Sequence, residues 1–334
     1  MATTIPNGSK YMQAVTYTGT GATQTITVGF QPDLVWIKSR SATTDHKLTD
    51  SVRGVTKALI SDTTGAETTD TNGVTAFTSN GFTLGSDSVY NTNAATYVAW
   101  CWQAGQGSSS SNTSGSITST VSVNATAGFS VVTWNQNAAP STVGHGLGIA
   151  PAMIIAKNRT GTPDNWLIYH KSLGATKYLF LNTTAAAGTS SAVWNNTEPT
   201  SSVFSYGTGL VTGNFVAYCW AEIAGFSKFG SYTGNGSTDG PFIYTGFRPN
   251  FIIRKESSAV GDWIIFDNAR NPYNVETYRL LANTTAAEAS PGNNIDVLSN
   301  GWKERNNDGY SNNSGSTYIY MAFAENPFKN ANAR

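Results

Sequence analysis

The stretch GFQPDLVWIK, from Gly29 to Lys38, decides the fold because near copies of it occur twice more in the chain. The copies are GIAPAMIIAK at 148–157 and GFRPNFIIRK at 246–255. In each copy a glycine stands three residues before a proline, an apolar run follows, and a lysine closes the word. Proline fixes φ and supplies no ladder N–H, so it suits the start of a strand. The word therefore predicts one buried strand in three places, with its lysine emerging into solvent.

Other words recur around these copies in a constant order. Words that end in Asp-Thr-Thr or Asn-Thr-Thr start at Lys57, Lys177 and Tyr278. Aromatic closing words follow at 97–102 (YVAWCW), 215–220 (FVAYCW) and 318–323 (YIYMAF). The spacing within a copy is nearly constant, whereas the spacing between copies varies. This pattern predicts three successive folding units of about 90 to 105 residues each, too long for solenoid repeats.

The composition predicts an all-β fold. Short β-branched and aromatic runs alternate with turn clusters rich in Thr, Ser, Asn and Gly, and no long segment has helical periodicity. We expect three tandem β-sandwich units that resemble jelly rolls. Their predicted limits are 1–104, 117–224 and 225–334. Residues 105–116, GQGSSSSNTSGS, read as a flexible Gly/Ser linker. Units 2 and 3, which have no such spacer between them, are expected to pack together more tightly than units 1 and 2.

Charge and hydropathy exclude several classes of protein. The 334 residues include 20 Lys and Arg and 20 Asp and Glu, so the formal net charge is zero and no basic run exists. A nucleic-acid-binding protein would need clustered positive charge. No apolar run approaches the length that crosses a bilayer. The first residues lack the basic and apolar regions of a signal peptide, so we expect synthesis and assembly in a cytoplasm.

The two cysteines occupy matching positions. Cys101 and Cys219 lie in the closing words of units 1 and 2. Matching positions in separate units indicate separate cores, so we expect two buried, reduced thiols rather than a disulfide.

The sequence offers no catalytic constellation. His46, His145 and His170 have no metal-ligand spacing, and neither a G-x-S-x-G elbow nor a phosphate-binding loop occurs. We therefore predict a protein that is not an enzyme, with no catalytic residue, cofactor or metal site.

Two acidic features keep alternatives open. Carboxylate pairs such as Asp262 with Asp267, or Glu304 with Asp308, could serve glycoside hydrolysis but equally suit strand edges and loops. The acidic stretch 62–73 could hold a hard cation, although its spacing is not that of an EF-hand and favours a solvated loop.

Aromatic residues in loops are the candidate surface contacts. Most of the nine tryptophans lie in repeat words and are expected in cores. Trp194, Tyr273 and Tyr310 lie in polar loop contexts instead. We predict these three as contact residues.

Five long words carry a resemblance to a known family. They are GFQPDLVWIKSR, YVAWCWQAG, TVGHGLGIAPAMIIAKNR, FGSYTGNGSTDGPFIYTGFRP and YIYMAFAENPF. Together they resemble the repeat-bearing structural proteins of marine tailed bacteriophages, a mostly uncharacterised family described as tail-fibre-like or lectin-like. The resemblance covers nearly the whole chain. It implies a virion protein without a signal peptide, and it supplies no residue of known function to carry over.

Two virion roles follow from that resemblance. A tail fibre or adhesin would bind a glycan or protein of the host surface, whereas a head decoration protein would bind capsid subunits. The first repeat starts by about Tyr11, which leaves no long anchoring segment before it and keeps head decoration open. Other virion proteins are the expected partners, and a homo-oligomer, such as a trimer, is the expected assembly. A glycan-degrading enzyme is the third alternative.

Overall fold

The fold is that of a computed structural model that describes Ile5 and residues 7–324, apart from positions 162, 210 and 293. The predicted ends of unit 1 (residues 1–4) and of unit 3 (residues 325–334) lie outside the described residues. The last four residues of the word YIYMAFAENPF belong to that second range. The chain is all-β, as the sequence predicts, and consists of three β-sandwiches with three single-turn helices.

Unit 1 pairs a six-stranded sheet with a three-stranded sheet. After a 3-10 turn at Gly8–Lys10, its elements are β1 (Met12–Thr18), β2 (Gln24–Thr27), β3 (Leu34–Ser39), β4 (Lys47–Asp50), β5 (Lys57–Ile60), β6 (Thr68–Thr69), β7 (Val74–Thr78), β8 (Gly81–Leu84), α1 (Ser88–Asn91) and β9 (Thr96–Trp102). The large sheet has the order β1-β9-β3-β4-β5-β6, and the small sheet has the order β2-β8-β7. Every pairing is antiparallel.

Unit 2 repeats this plan and adds two strands at one edge. Its elements are β10 (Ser110–Asn112), β11 (Ser119–Asn124), β12 (Phe129–Gln136), β13 (Ser141–Gly144), β14 (Met153–Asn158), β15 (Leu167–His170), β16 (Lys177–Phe180), β17 (Gly188–Thr189), α2 (Ser191–Trp194), β18 (Val203–Tyr206) and β19 (Gly213–Trp220). The large sheet runs β10-β11-β12-β19-β14-β15-β16-β17, and β13 pairs with β18.

Unit 3 has the same plan in its shortest form. Its elements are β20 (Ser227–Thr233), β21 (Phe242–Tyr244), β22 (Pro249–Glu256), β23 (Trp263–Asp267), β24 (Leu280–Leu281), β25 (Ile295–Leu298), β26 (Gly301–Glu304), α3 (Gly309–Asn312) and β27 (Thr317–Ala324). The large sheet runs β20-β27-β22-β23-β24, and the small sheet runs β21-β26-β25.

The common strand order confirms the predicted repeat. In each large sheet the closing strand (β9, β19 or β27) pairs on one side with the strand of the GF-x-P word (β3, β14 or β22). On its other side it pairs with the opening strand of the repeat (β1, β12 or β20). The proline of the word lies at or two residues before the start of the GF-x-P strand, next to the end of the closing strand. The three prolines are Pro32, Pro151 and Pro249. The proline therefore has the predicted place in every unit, where a strand begins.

The large sheets are buried on both faces. One face of each covers the small sheet of its own unit, and the opposite faces of the three sheets meet in one shared core. Trp102 of β9 lies at this meeting point. Its ring centroid is 5.7 Å from that of Trp220 in unit 2 and 5.5 and 6.1 Å from those of Phe251 and Phe323 in unit 3. We call this region the central core.

The two cysteines lie in separate sandwich cores. Cys101 belongs to the core between the sheets of unit 1, and Cys219 belongs to the corresponding core of unit 2. Both thiols are free and fully buried, and burial raises the pKa of each. Each acts as a small apolar side chain of its own unit.

The lysine of the repeated word is buried, which contradicts its predicted place in solvent. Each Nζ donates to a backbone carbonyl in the Thr-Thr turn of another unit. The pairs are Lys38 with Thr285 (3.1 Å), Lys157 with Thr64 (3.1 Å) and Lys255 with Thr184 (3.2 Å). Unit 1 thus reaches unit 3, unit 2 reaches unit 1 and unit 3 reaches unit 2. The three sandwiches close a ring with pseudo-threefold symmetry instead of standing in a series.

Aromatic side chains repeat the same cyclic contacts. Trp166 Nε1 donates to the Ile60 carbonyl of unit 1 at 2.8 Å. Trp263 Nε1 donates to the Phe180 carbonyl of unit 2 at 2.9 Å. At the third junction the corresponding residue of unit 1 is His46, which faces unit 3. Because all three junctions use equivalent residues, the repeated words specify the ring as well as the units.

The predicted linker is not a flexible spacer. Ser110–Asn112 forms the edge strand β10, and the turn before it is fixed by the buried carboxylate of Asp33. That carboxylate accepts backbone hydrogen bonds from Ala104, Gln106 and Gly107 at 2.6, 2.8 and 2.8 Å. Polar Ser and Gly letters can therefore describe an ordered turn when a buried acceptor is available for their N–H groups.

Units 1 and 2 are not loosely joined. Arg159 of unit 2 pairs with Glu67 of unit 1 at 2.8 Å, and Tyr218 donates to Asp50 at 2.9 Å. At the junction of units 3 and 2, Ser257 and Ala187 occupy the positions of Arg159 and Glu67. The expected looser contact between units 1 and 2 is therefore not observed.

Candidate functional site

The pseudo-threefold repeat shows where to look for a site. Residues that all three units share build the sandwiches and the ring, so a role performed once per chain must come from a position where one unit differs. One such difference is on the outer face of the small sheet of unit 3. There β21 has Phe242 and Tyr244, where β2 of unit 1 has Thr25 and Thr27.

We call this surface the aromatic face and define it by Phe242, Tyr244, Leu298, Gly301 and Lys303. In the register of the sheet, Phe242 pairs with Lys303, and Tyr244 pairs with Gly301, which pairs with Leu298. Phe242 is 44% exposed, Tyr244 63% and Leu298 37%. Side chains alternate along a strand, so these residues share the solvent side while Ile243, Val297 and Trp302 point into the core.

Both aromatic rings lie against glycines. A Cβ on Gly301 would stand 3.0 Å from Phe242 Cζ, and one on Gly246 would stand 3.5 Å from the Tyr244 hydroxyl oxygen. Gly301 is buried, as is Gly81 at the corresponding position of unit 1, because a carbonyl of the neighbouring strand lies close to the Cβ direction of each glycine. Both rings are exposed on the same side of the sheet, near backbone that carries no side chain.

Ion pairs form the border of the aromatic face. Lys303 Nζ lies 2.7 Å from an Asp239 carboxylate oxygen, and Arg305 Nε lies 3.2 Å from one of Asp296. The pairing with Lys303 lowers the pKa of Asp239. Positive and negative groups alternate here, so the border supplies hydrogen-bonding groups without an excess of either charge.

The corresponding surfaces of the other units differ. Unit 1 has the threonine pair Thr25 and Thr83, whose hydroxyl oxygens are 3.1 Å apart, where unit 3 has Phe242 and Lys303. In unit 2, residues 112–117 lie against the small sheet, and Ser116 exchanges hydrogen bonds of 2.8 Å with Thr142. Exposed aromatic rings on an open small sheet are thus specific to unit 3.

Beneath the aromatic face, the core of unit 3 also departs from the repeat. Arg254 and Glu304 form a buried ion pair at the positions of Ile37 and Leu84 in unit 1. The same Glu304 oxygen accepts from Trp302 Nε1 at 2.9 Å. Burial alone would lower the pKa of Arg254, but the Glu304 carboxylate outweighs it and raises that pKa. Arg254 Nε and Nη2 and the second Glu304 oxygen have no hydrogen-bond partner among the described residues.

One family matches the chain. The family described as a domain of unknown function, DUF7483, matches residues 7–327. The chain belongs to the DUF7483 family. Neither a curated protein nor a solved structure matches it.

The three predicted contact residues of this DUF7483 protein do not form one site. Trp194 is 2% exposed, so its prediction as a surface contact is wrong. It ends the helical turn α2, and its ring packs on Tyr169 and Tyr206 at centroid distances of 6.0 and 5.5 Å. The polar letters around Trp194 cap this turn, with Ser190 as N-cap, and direct the indole into the core of unit 2.

The other two predicted residues are exposed in unit 3. Tyr273 is 80% exposed and Tyr310 is 44% exposed. Tyr273 precedes Asn274, whose side-chain amide exchanges two hydrogen bonds of 2.8 Å with the backbone of Val297 in β25. Tyr273 therefore lies beside the sheet of the aromatic face, whereas Tyr310 lies on α3 next to Gly261.

Phe242 and Tyr244 were not among the predicted contact residues. A signal was present, because the aligned words are FIY at 242–244 and TIT at 25–27. The central isoleucine fills the same core position in both, so the flanking aromatics of unit 3 had to point outward.

The carboxylates considered for glycoside hydrolysis have structural partners in the DUF7483 fold. Asp267 accepts from Arg270 Nε at 2.6 Å and from Trp100 Nε1 at 2.9 Å across the junction of units 3 and 1. Asp262 accepts from Asn283 at 2.8 Å, and Asp308 caps α3. Within the described residues, no group of three or more His, Cys, Asp or Glu could hold a metal ion. Glu67, in the acidic stretch, pairs with arginines of two units.

The three histidines are neutral structural donors. Trp36 Nε1 donates to Nδ1 of His46 at 2.9 Å, and backbone N–H groups donate to Nδ1 of the other two. The proton is therefore on Nε2, which donates to a carbonyl. The acceptors are Leu281 for His46 (3.0 Å), Thr200 for His145 (3.1 Å) and Tyr320 for His170 (3.0 Å). Burial lowers the pKa of all three, that of His170 to about 4.

His46 joins units 1 and 3, and His170 joins units 2 and 3. We therefore expect the closed ring of three sandwiches to lose stability in acid. The unfolded chain binds a proton at each below a pH of about 6.5, whereas the native protein does not until the pH is much lower. The free energy of unfolding should therefore fall as the pH decreases from about 6.5 towards 4. Thermal unfolding at half-unit pH intervals measures this slope.

The variants His46→Gln and His170→Gln separate this effect from carboxylate protonation. Glutamine keeps an N–H donor near the Nε2 position but does not titrate in this range. Each variant should lose part of the slope between pH 6.5 and 5. An unchanged slope in the double variant contradicts the assignment.

Among the described residues of the DUF7483 domain, none of the helices is long and apolar enough to cross a membrane.

Proposed function

We propose that the chain is a structural protein on the outside of a tailed-phage particle, where it acts as the binding component of a tail fibre or related adhesin. The resemblance of its long repeat words to the structural proteins of tailed phages supports the assignment to such a particle. The aromatic face carries the binding role, because one of three similar sandwiches exposes aromatic rings on an open sheet. A closed ring of sandwiches is a rigid scaffold for such a surface.

The proposed role is binding without catalysis. The carboxylates considered for hydrolysis are engaged in ion pairs, helix caps and junctions, which supports this reading. Incubation of the protein with bacterial surface polysaccharide should release no new reducing ends. A time-dependent release that follows the purified protein contradicts the proposal and favours the glycan-degrading alternative.

The location on the particle is the direct test of this function. Antibody labelling of purified particles should place the protein at the tail. Particles that lack it should keep intact heads and lose adsorption to host cells. A protein absent from purified particles overturns the proposal.

The pseudo-threefold ring favours one second candidate, a head decoration protein. A single chain with three equivalent sandwiches can present similar surfaces to symmetry-related capsid subunits around a threefold position. Labelled heads, with fragile heads and normal adsorption in particles that lack the protein, support this role over the adhesin. In either role other virion proteins are the partners.

A homo-oligomer, such as the predicted trimer, remains part of the proposal. Repetition of a weak contact in an oligomer multiplies it into avidity. Light scattering after size exclusion gives the mass of the assembly, and a monomer at all concentrations contradicts this part.

A further inference from the structure

We propose that the aromatic face binds a neutral saccharide, with pyranose rings of a host-surface glycan stacking on Phe242 and Tyr244. This inference rests on the proposed adhesin function and specifies the chemistry of its ligand. On the solvent side of the small sheet, unit 3 has Phe242 and Tyr244 where unit 1 has Thr25 and Thr27.

The geometry of the two rings suits stacking. Phe242 is 44% exposed and Tyr244 is 63% exposed, and both side chains are on the same side of β21. Phe242 and Tyr244 are two residues apart on one strand, so their Cα atoms are about 6.5 to 7 Å apart. A pyranose has an apolar C–H surface that can cover an aromatic ring, and two neighbouring rings can hold successive sugar units.

The border determines which saccharide fits. Lys303 is paired with Asp239 and Arg305 with Asp296, so the aromatic face has no excess of charge. A polyanion such as nucleic acid or an acidic polysaccharide needs unpaired cations in a row. Sugar hydroxyl groups donate and accept hydrogen bonds, and the border supplies both partners, ammonium and guanidinium donors and carboxylate acceptors.

The size of the surface argues against a stable protein partner. Phe242, Tyr244 and Leu298 are its exposed apolar side chains. A specific protein interface uses about 20 to 30 residues on each side, with large side chains buried at its centre. Two aromatic rings with a charged border match the footprint of a few sugar units instead.

The test uses the full chain and polysaccharide released from the host cell surface, separated by anion exchange into neutral and acidic fractions. The probe variant is Phe242→Thr with Tyr244→Thr, which gives β21 the outward residues of β2 in unit 1. The control is Val260→Thr. Val260 is an apolar residue that lies outside the aromatic face and is 67% exposed. Circular dichroism and the melting temperature verify that both variants are folded.

Biolayer interferometry should show binding of the wild type and of the control to the neutral fraction. The double variant should bind about tenfold more weakly or not at all. Binding to the acidic fraction alone, binding that the double variant retains, or binding only to host-surface protein overturns the inference. No binding of the wild type to either fraction overturns it as well.

Particles that carry the double variant separate this inference from the proposed function. If particles without the protein fail to adsorb but particles with the double variant adsorb normally, the adhesin function stands and the saccharide site is wrong. If the protein is absent from particles yet the purified chain binds the neutral fraction through Phe242 and Tyr244, the saccharide site stands and the proposed function is wrong.

Discussion

Replacement of Trp102 by alanine is expected to lower the free energy of unfolding by about 3 to 5 kcal/mol, the range for truncating a fully buried large aromatic side chain. Its indole contacts Phe129 and Trp220 of unit 2 and Phe251 and Phe323 of unit 3, so the cavity would open where all three sheets meet. The loss should also weaken the coupling between units. Chemical denaturation followed by tryptophan fluorescence and circular dichroism measures both effects.

Trp194→Ala is the matched control for this experiment. Trp194 is as deeply buried as Trp102, but its contacts, Tyr169 and Tyr206, belong to unit 2 alone. Both variants should be destabilised. The transitions of the two probes should separate in Trp102→Ala and stay coincident in the wild type, because the shared core makes the wild type unfold as one unit. Three separate transitions in the wild type contradict a common central core.

The central core also marks what the sequence could and could not predict. Recurring words predicted the number of units and the equivalent place of the three prolines, and composition predicted the all-β class. The ring was missed, although a signal existed. The words LVWI, MIIA and YVAWCW are apolar at every position instead of alternating. A continuous apolar strand is buried on both faces, and a sandwich standing in series would need only one buried face.

The lysines of the repeated word were wrongly predicted to lie in solvent, for a related reason. A charged residue after an apolar run normally marks the point where a strand reaches solvent, because a buried charge requires compensation. The compensation comes from nearby carbonyl groups together with one of another unit, as for Lys38 with Ser39 and with Thr285. Burial lowers the pKa of each of the three lysines to about 8. A single unit read alone contains no indication of such an acceptor.

The candidate site was only partly visible. Tyr273 was predicted from its polar loop, and it does lie beside the sheet of the aromatic face. Phe242 and Tyr244 were overlooked because aromatic letters in a strand are normally core residues. The register of β21 with β26 shows that they point outward, and alignment of FIY with the word TIT of unit 1 would have indicated the same.

The buried pair Arg254 and Glu304 gives the second large expected effect. Glu304→Leu leaves the Arg254 guanidinium buried without its carboxylate, which should cost about 3 to 5 kcal/mol of stability. The double variant Arg254→Ile with Glu304→Leu places the side chains of Ile37 and Leu84 from unit 1 in unit 3. It should regain part of that loss, since a well-packed apolar pair is often as stable as a buried ion pair, whereas Trp302 Nε1 still loses its acceptor.

Denaturant unfolding of Arg254→Ile, Glu304→Leu, the double variant and the wild type completes a mutant cycle for this pair. The coupling energy should exceed about 2 kcal/mol, because either single change leaves one buried charge uncompensated. Sandwich stability does not require the ion pair, since unit 1 does without it. We therefore expect the pair to fix β26, which has Trp302 and Glu304 inside and Lys303 outside, and thereby to position the aromatic face. A double variant that is no more stable than Glu304→Leu would show that unit 3 depends on this charge for its core, and the equivalence with unit 1 would fail at this position.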